Sequence, residues 1–113
     1  MTTGFAERRG LRAGPAARRV VALLVSLVRL VVGVIAAVLV ADIVLTVGSA
    51  NPANPITIFF REAAPRLTLG LSDLFLLADP RMTVLVNEAI AAVVWLVIGA
   101  IVARILRAAV GRR

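Results

Sequence analysis

The sequence predicts an all-α membrane protein, a two-transmembrane-helix hairpin with one or two short amphipathic interfacial helices in the connecting loop. Three observations predict it. Of 113 residues, 61% are apolar and 17% charged, with a mean hydropathy of +1.02, against about 45–50% apolar and about 25% charged in soluble domains. A chain this short leaves much of its surface exposed and cannot hide so much Val, Leu, Ala and Ile from water. The apolar residues fall in two long runs. The basic residues, 13 in number and all arginine, gather mostly at the two ends.

The first run covers residues 20–47 and is broken only by Arg29 and Asp42. A hydrocarbon layer of about 30 Å needs about 20 helical residues, so the run is slightly too long. Centring it on residues 20–41 buries Arg29, and centring it on residues 30–47 sinks Asp42. A placement near residues 24–45 sets each about one turn inside opposite faces, where Arg29 snorkels to the headgroups and the shorter Asp42 reaches less far. The second run, residues 80–103, opens on Asp79 as cap and Pro80 at the first helical position. Its unbroken apolar part, residues 89–103, is too short to fill the hydrocarbon at 1.5 Å per residue, so Glu88 lies in or at the edge of the membrane.

Arginine counting sets the direction. The N-terminal tail, residues 1–19, has Arg8, Arg9, Arg12, Arg18 and Arg19 against Glu7 alone. The C-terminal extension, residues 104–113, has Arg104, Arg107, Arg112 and Arg113 and no acid. In the loop, residues 48–79, and at its junction with the second span, Arg61, Arg66 and Arg81 are balanced by Glu62, Asp73 and Asp79. Positive charge stays inside, so both termini are expected in the cytoplasm of a multi-pass inner-membrane protein, with the loop outside. A cleaved signal peptide is the rival, since Gly48 and Ala50 are small residues before a possible cut at Asn51. The first run is about twice the usual h-region, which favours the uncut hairpin.

The loop is patterned. Asn54-Pro55 reads as cap plus first helical residue, and Ile56, Phe60, Ala63, Leu67, Leu71, Leu74 and Ala78 recur at spacings of three and four. Thr57, Arg61, Glu62, Thr68, Ser72 and Asp73 fall largely on the other side. This predicts two short amphipathic helices broken at Pro65, with Gly70 loosening the second, lying in the outer interface or forming a docking surface or plug. A strand at residues 67–71 would leave an unpaired edge.

Within the spans, Gly33, Ala37 and Ala41 recur every four residues, as do Gly99 and Ala103, a spacing that lets helices approach closely within the hairpin or between copies. At 100° per residue, Ala92, Trp95, Gly99 and Ala103 share one face with Glu88. Glu88, its neighbour Asn87, and Asp42 form the candidate intramembrane polar site. The bland alternative pairs Glu88 with Arg81 or with a loop arginine. Asp42 and Glu88 lie at similar depth in an antiparallel hairpin, and two acids facing each other need a shared proton or an arginine between them. Asp42 is roughly opposite Gly33 around its helix, so the two cannot share a packing face, and a second protomer is one alternative partner for Asp42.

The chain contains no Cys, His, Lys, Tyr or Gln, which removes cysteine and histidine metal sites, disulfides, Ser–His and Cys–His nucleophiles and Schiff bases. No catalytic residue, cofactor or metal ligand is expected. Arg18, Arg19, Arg29, Arg104 and Arg107 flank membrane spans without interleaved aromatics, so anionic lipid headgroups are the expected contacts and nucleic acid is not.

The stretches Asn51-Pro-Ala-Asn-Pro-Ile-Thr-Ile-Phe-Phe60, Leu69-Gly-Leu-Ser-Asp-Leu-Phe75 and Asp79-Pro-Arg-Met-Thr-Val-Leu-Val-Asn-Glu-Ala-Ile-Ala-Ala-Val-Val-Trp95 resemble a class of small uncharacterised two-span membrane proteins of actinobacterial type. That resemblance implies the hairpin and the arginine tails, and no activity. In topology the chain also resembles the large-conductance mechanosensitive channel, which implies a pore, but Arg29 would lie awkwardly there. Holins share the size and basic tails and rarely have so long an amphipathic loop. The rotor-ring subunit of ATP synthases shares a second-helix carboxylate, but its loop is cytoplasmic. The expected role is a non-enzymatic structural or accessory subunit that associates with other membrane proteins or with its own copies. A small oligomeric channel using Asp42 or Glu88 is the alternative.

Overall fold

The computed structural model describes residues 14–110, whose regular elements are all helical, with no strand among them. In chain order they form α1 (Pro15–Val47), α2 (Pro55–Ala63), a 3-10 turn (Ala64–Leu67) and α3 (Pro80–Ala109). Both α1 and α3 are long and apolar enough to cross a membrane. Their most apolar windows are only 17% and 22% buried, respectively, whereas a helix in a soluble core is buried all round. Val20, Leu23, Leu27 and Leu30 on α1 and Val93, Leu96, Ile101 and Ile105 on α3 are among the large side chains left more than half exposed.

Local chemistry explains where each helix starts and stops. Pro15 opens α1 after Gly14, whose carbonyl accepts from the Arg18 amide at 3.0 Å. At the other end Ala50 N donates to Leu45 O at 2.8 Å and Ser49 N to Thr46 O at 3.1 Å, with Ser49 at φ 57°. This paired closure by a left-handed residue ends the helix. Asn54 Oδ1 caps α2 by accepting from Ile56 N at 2.8 Å. Asp79 Oδ1 caps α3 by accepting from Arg81 N at 2.9 Å, ahead of Pro80. The second apolar run therefore begins where capping chemistry places it, and its helix continues past residue 103 to Ala109.

The loop departs from its expected form in its second half. The first helix forms as α2, and Pro65 sits in the tight 3-10 turn that follows. No second amphipathic helix forms over residues 68–79, which run in turns. Leu69 and Gly70 both have positive φ, 57° and 81°, which a right-handed helix cannot include. Helical spacing across that point is therefore not realised. The stripe divides accordingly: Phe60, Ala63, Leu67 and Leu71 are half-buried, whereas Ile56, Leu74 and Ala78 are exposed and Thr57 is buried.

The chain divides into two compact units, one of Met1–Val31 with Ile98–Arg113 and the other Val32–Val97. In the second unit the core is Leu39, Ala64, Ala91 and Ala92, with Ile35, Ala36, Leu67, Leu71 and Trp95 packed against it. One bulky residue of α1 thus meets alanines of α3 and of the 3-10 turn, the close fit that van der Waals packing needs where lipid supplies no hydrophobic drive. In the first unit Val25, Gly99 and Ala103 are buried, between exposed arginines.

The buried positions of α1, Val25, Val32, Leu39 and Asp42, are spaced seven, seven and three, the rhythm of a coiled-coil seam. Gly33 and Ala37 lie on the exposed side and Ala41 is half-buried. The small-residue stripe of the first span is therefore not what packs within the chain. Nothing stands within 4 Å of a Cβ built on Gly33. Gly33→Ala is expected to leave thermal stability in detergent unchanged or raised by up to about 1 kcal/mol, the helix preference for Ala. A clear loss of stability would show that a helix approaches closely there.

Candidate functional site

The candidate site lies within the unit Val32–Val97, where three polar side chains of the two long apolar helices are drawn out of water. Asp42 on α1 has 0% exposure, and on α3 Asn87 has 0% and Glu88 3%. Thr68, just after the 3-10 turn, is also fully buried and donates to Pro65 O at 2.9 Å. A buried polar group without a partner costs several kcal/mol in a low-dielectric surround, so the partners define what the site does.

Asp42 is served by the loop. Arg61 on α2 places Nε 3.2 Å from Asp42 Oδ1, while its Nη1 donates to Thr46 Oγ1 at 2.9 Å. Asp42 and Thr46 are one helical turn apart, so a single guanidinium spans both. The Glu88 carboxyl lies within hydrogen-bonding reach of Asp42 and within charge range of Arg61. The Asp42 oxygens and Glu88 Oε1 receive no aligned hydrogen bond. The three side chains thus form a compact charged group, with Arg61 about one-third exposed and the acids sealed.

Asp42 faces Glu88 within one chain, on the side of α1 opposite Gly33. Arg61, which the loop pattern placed on the polar side of its helix, supplies the positive charge. Arg81 is exposed, and among the described residues no ion pair joins it to Glu88. At 100° per residue Arg61 stands about 140° from Ile56 and about 160° from Ala63, opposite the apolar stripe, so the loop pattern carried no signal for its role.

Asn87 acts differently. Its Nδ2 donates to Ser72 O at 2.9 Å and Phe75 O at 2.8 Å, and its Oδ1 accepts from Phe75 N at 2.9 Å. One amide side chain therefore satisfies three backbone groups of the irregular segment that follows the 3-10 turn. One helical turn earlier on α3, Thr83 Oγ1 accepts from Leu77 N at 2.9 Å. Two turns later, Trp95 Nε1 donates to Leu67 O at 2.6 Å. Sequence reading singled out Asn87 as a polar residue inside a span and Trp95 as part of the Glu88 face, and missed that both reach the loop backbone.

Of the remaining candidates, Ala92, Gly99 and Ala103 are buried on α3, and Arg18, Arg19, Arg29, Arg104 and Arg107 are exposed. No cluster of three or more His, Cys, Asp or Glu able to hold a metal occurs among the described residues. Comparison with protein-family models, curated proteins and solved structures returns no match.

Two substitutions separate the charged group from the loop clasp. Arg61→Ala strands Asp42 and is expected to cost about 2–3 kcal/mol, below the about 3–5 kcal/mol for breaking a fully buried pair because Arg61 is partly exposed. Asn87→Ala is expected to cost about 1–3 kcal/mol and to speed hydrogen exchange at the Phe75 amide while leaving the amides of α1 protected. Exchange that rises equally everywhere would mean that Asn87 supports the whole fold rather than the clasp.

Proposed function

We propose that this chain is a non-enzymatic inner-membrane hairpin that serves as a structural or accessory subunit, offering its folded outer cap to another membrane protein or to its own copies. The observation that carries this reading is that three polar side chains of α3 hold the loop: Thr83, Asn87 and Trp95 each bind its backbone. The cap leaves Phe59, Leu69, Leu74, Phe75 and Leu76 exposed, apolar side chains that suit an interface or the outer lipid boundary. The arginine excess of the tails supports an orientation with both termini in the cytoplasm. Retention of the first span is supported by Leu39, Asp42 and Thr46, which a cut before Asn51 would strip from their partners.

A second reading, an oligomeric channel with a polar path at Asp42 and Glu88, is favoured by one observation: their buried oxygens lack aligned donors. Charged groups inside a span mark ion or proton routes in many membrane proteins. The two readings part on a flux measurement.

Three experiments test the proposal. Because the chain has no cysteine, single thiols report sidedness directly: Asp73→Cys is expected to react with an impermeant maleimide in intact cells, and Ala17→Cys only after the membrane is opened. The reverse pattern would invert the topology. Photo-crosslinking from Phe59 and Leu76 in native membranes is expected to capture a membrane protein or a second copy, and liposomes bearing the pure protein to show no ion flux. Reproducible flux that Glu88→Gln abolishes would replace the subunit reading with the channel.

A further inference from the structure

In the unit of Met1–Val31 and Ile98–Arg113, four arginines line a single open groove of about 750 Å³: Arg18 and Arg29 from α1, Arg104 and Arg107 from α3. Val21 and Val25 form part of its apolar wall. On α1 the steps from Arg18 to Val25 to Arg29 are seven and four, so the three lie on one stripe, with the two arginines about 16 Å apart along the axis. Arg104 and Arg107 are one turn apart and share a face of α3.

No aspartate or glutamate occurs in residues 14–31 or 98–110. Four arginines therefore line one groove whose own segments offer no acid, and an external anion is the complement. Arginine binds phosphate through paired N–H donors. The valine wall beside the charges suits an acyl chain and gives nothing to a small hydrated anion.

We propose that this groove is a discrete binding site for an anionic phospholipid, its phosphate held among Arg18, Arg29, Arg104 and Arg107 and an acyl chain lying along Val21 and Val25. A headgroup with two phosphates answers four guanidiniums better than a headgroup with one. The chemistry is that of phosphate, and the apolar wall assigns it to lipid rather than to a free ion. The site rests on the reading of α1 and α3 as membrane spans. Basic pockets between spanning helices on the cytoplasmic side are suited to such headgroups.

The test uses the full chain, purified in a mild detergent and titrated with phosphatidylcholine, phosphatidylglycerol, cardiolipin and inorganic phosphate, with bound lipid counted by native mass spectrometry. Cardiolipin is expected to bind as one retained molecule, ahead of phosphatidylglycerol, and phosphatidylcholine not to be retained. Replacing two groove arginines, Arg104→Gln with Arg107→Gln, is expected to weaken binding about thirtyfold, while Arg66→Gln, an exposed loop arginine outside the groove, stays within about twofold of the parent. Helix content by circular dichroism is expected to be the same in all variants, and Arg18→Gln with Arg29→Gln gives an independent pair should the first not fold.

Equal loss from Arg66→Gln would show diffuse surface charge and overturn the site, as would displacement of the lipid by inorganic phosphate. Alkaline carbonate extraction checks the underlying reading separately. A chain that stays in the membrane but shows no lipid preference refutes the site alone, and a chain that is released refutes the spans.

Discussion

A carboxylate with no exposure on an otherwise apolar helix needs a positive partner, and in this chain the partner is nineteen residues away. Asp42 is that carboxylate and Arg61 the partner. For the guanidinium to arrive, the chain must leave α1 in a closed turn, start α2 at once and bring it back over the end of the helix it has just left. The left-handed closure at Ser49, the Asn54 cap and the hydrogen bond from Arg61 to Thr46 all serve that return. Glu88, packed beside Asp42, brings a second carboxyl group into the same small space, so one loop arginine serves two acidic side chains from two helices. Such groups contribute less to net stability than to fixing a single arrangement, because the desolvation of the charges offsets much of their attraction.

The parts of the fold decided by local chemistry were legible. Pro55 and Pro80 each follow a side chain able to cap, and both helices begin there. The two long helices follow from hydropathy alone. What failed to show was any choice that depends on a partner. A helix apolar on every side has no preferred face, so Gly33, Ala37 and Ala41 looked as suited to packing as the seam through Val32 and Leu39. The structure chose the bulky seam because small residues already lay opposite it, at Ala64, Ala91 and Ala92. In the loop, spacings of three and four continue through residues 67–78, but side chains of α3 occupy the backbone groups that a second helix would have used for itself. Asp42, Asn87 and Glu88 were visible as polar residues in apolar runs, while Arg61, the residue that completes the group, was hidden among ordinary loop charges.

The arginines divide by environment. Arg61 is tied to a carboxylate and a hydroxyl of its own chain. Arg18, Arg29, Arg104 and Arg107 stand where their own segments carry no acid, and they share one groove. The same side chain is an internal brace in one unit and an open demand for anions in the other.

The clasp on the loop has a consequence for how this protein can change. Asn87 hydrogen-bonds to backbone atoms of Ser72 and Phe75, and Trp95 hydrogen-bonds to the Leu67 carbonyl. Neither contact reads the identity of the loop side chains. The outward residues Leu74, Phe75 and Leu76 can therefore be exchanged for others with the anchoring hydrogen bonds intact, while Asn87 itself has no substitute of the same shape that both donates twice and accepts. The cap is a surface that evolution or an engineer can rewrite on a fixed mount.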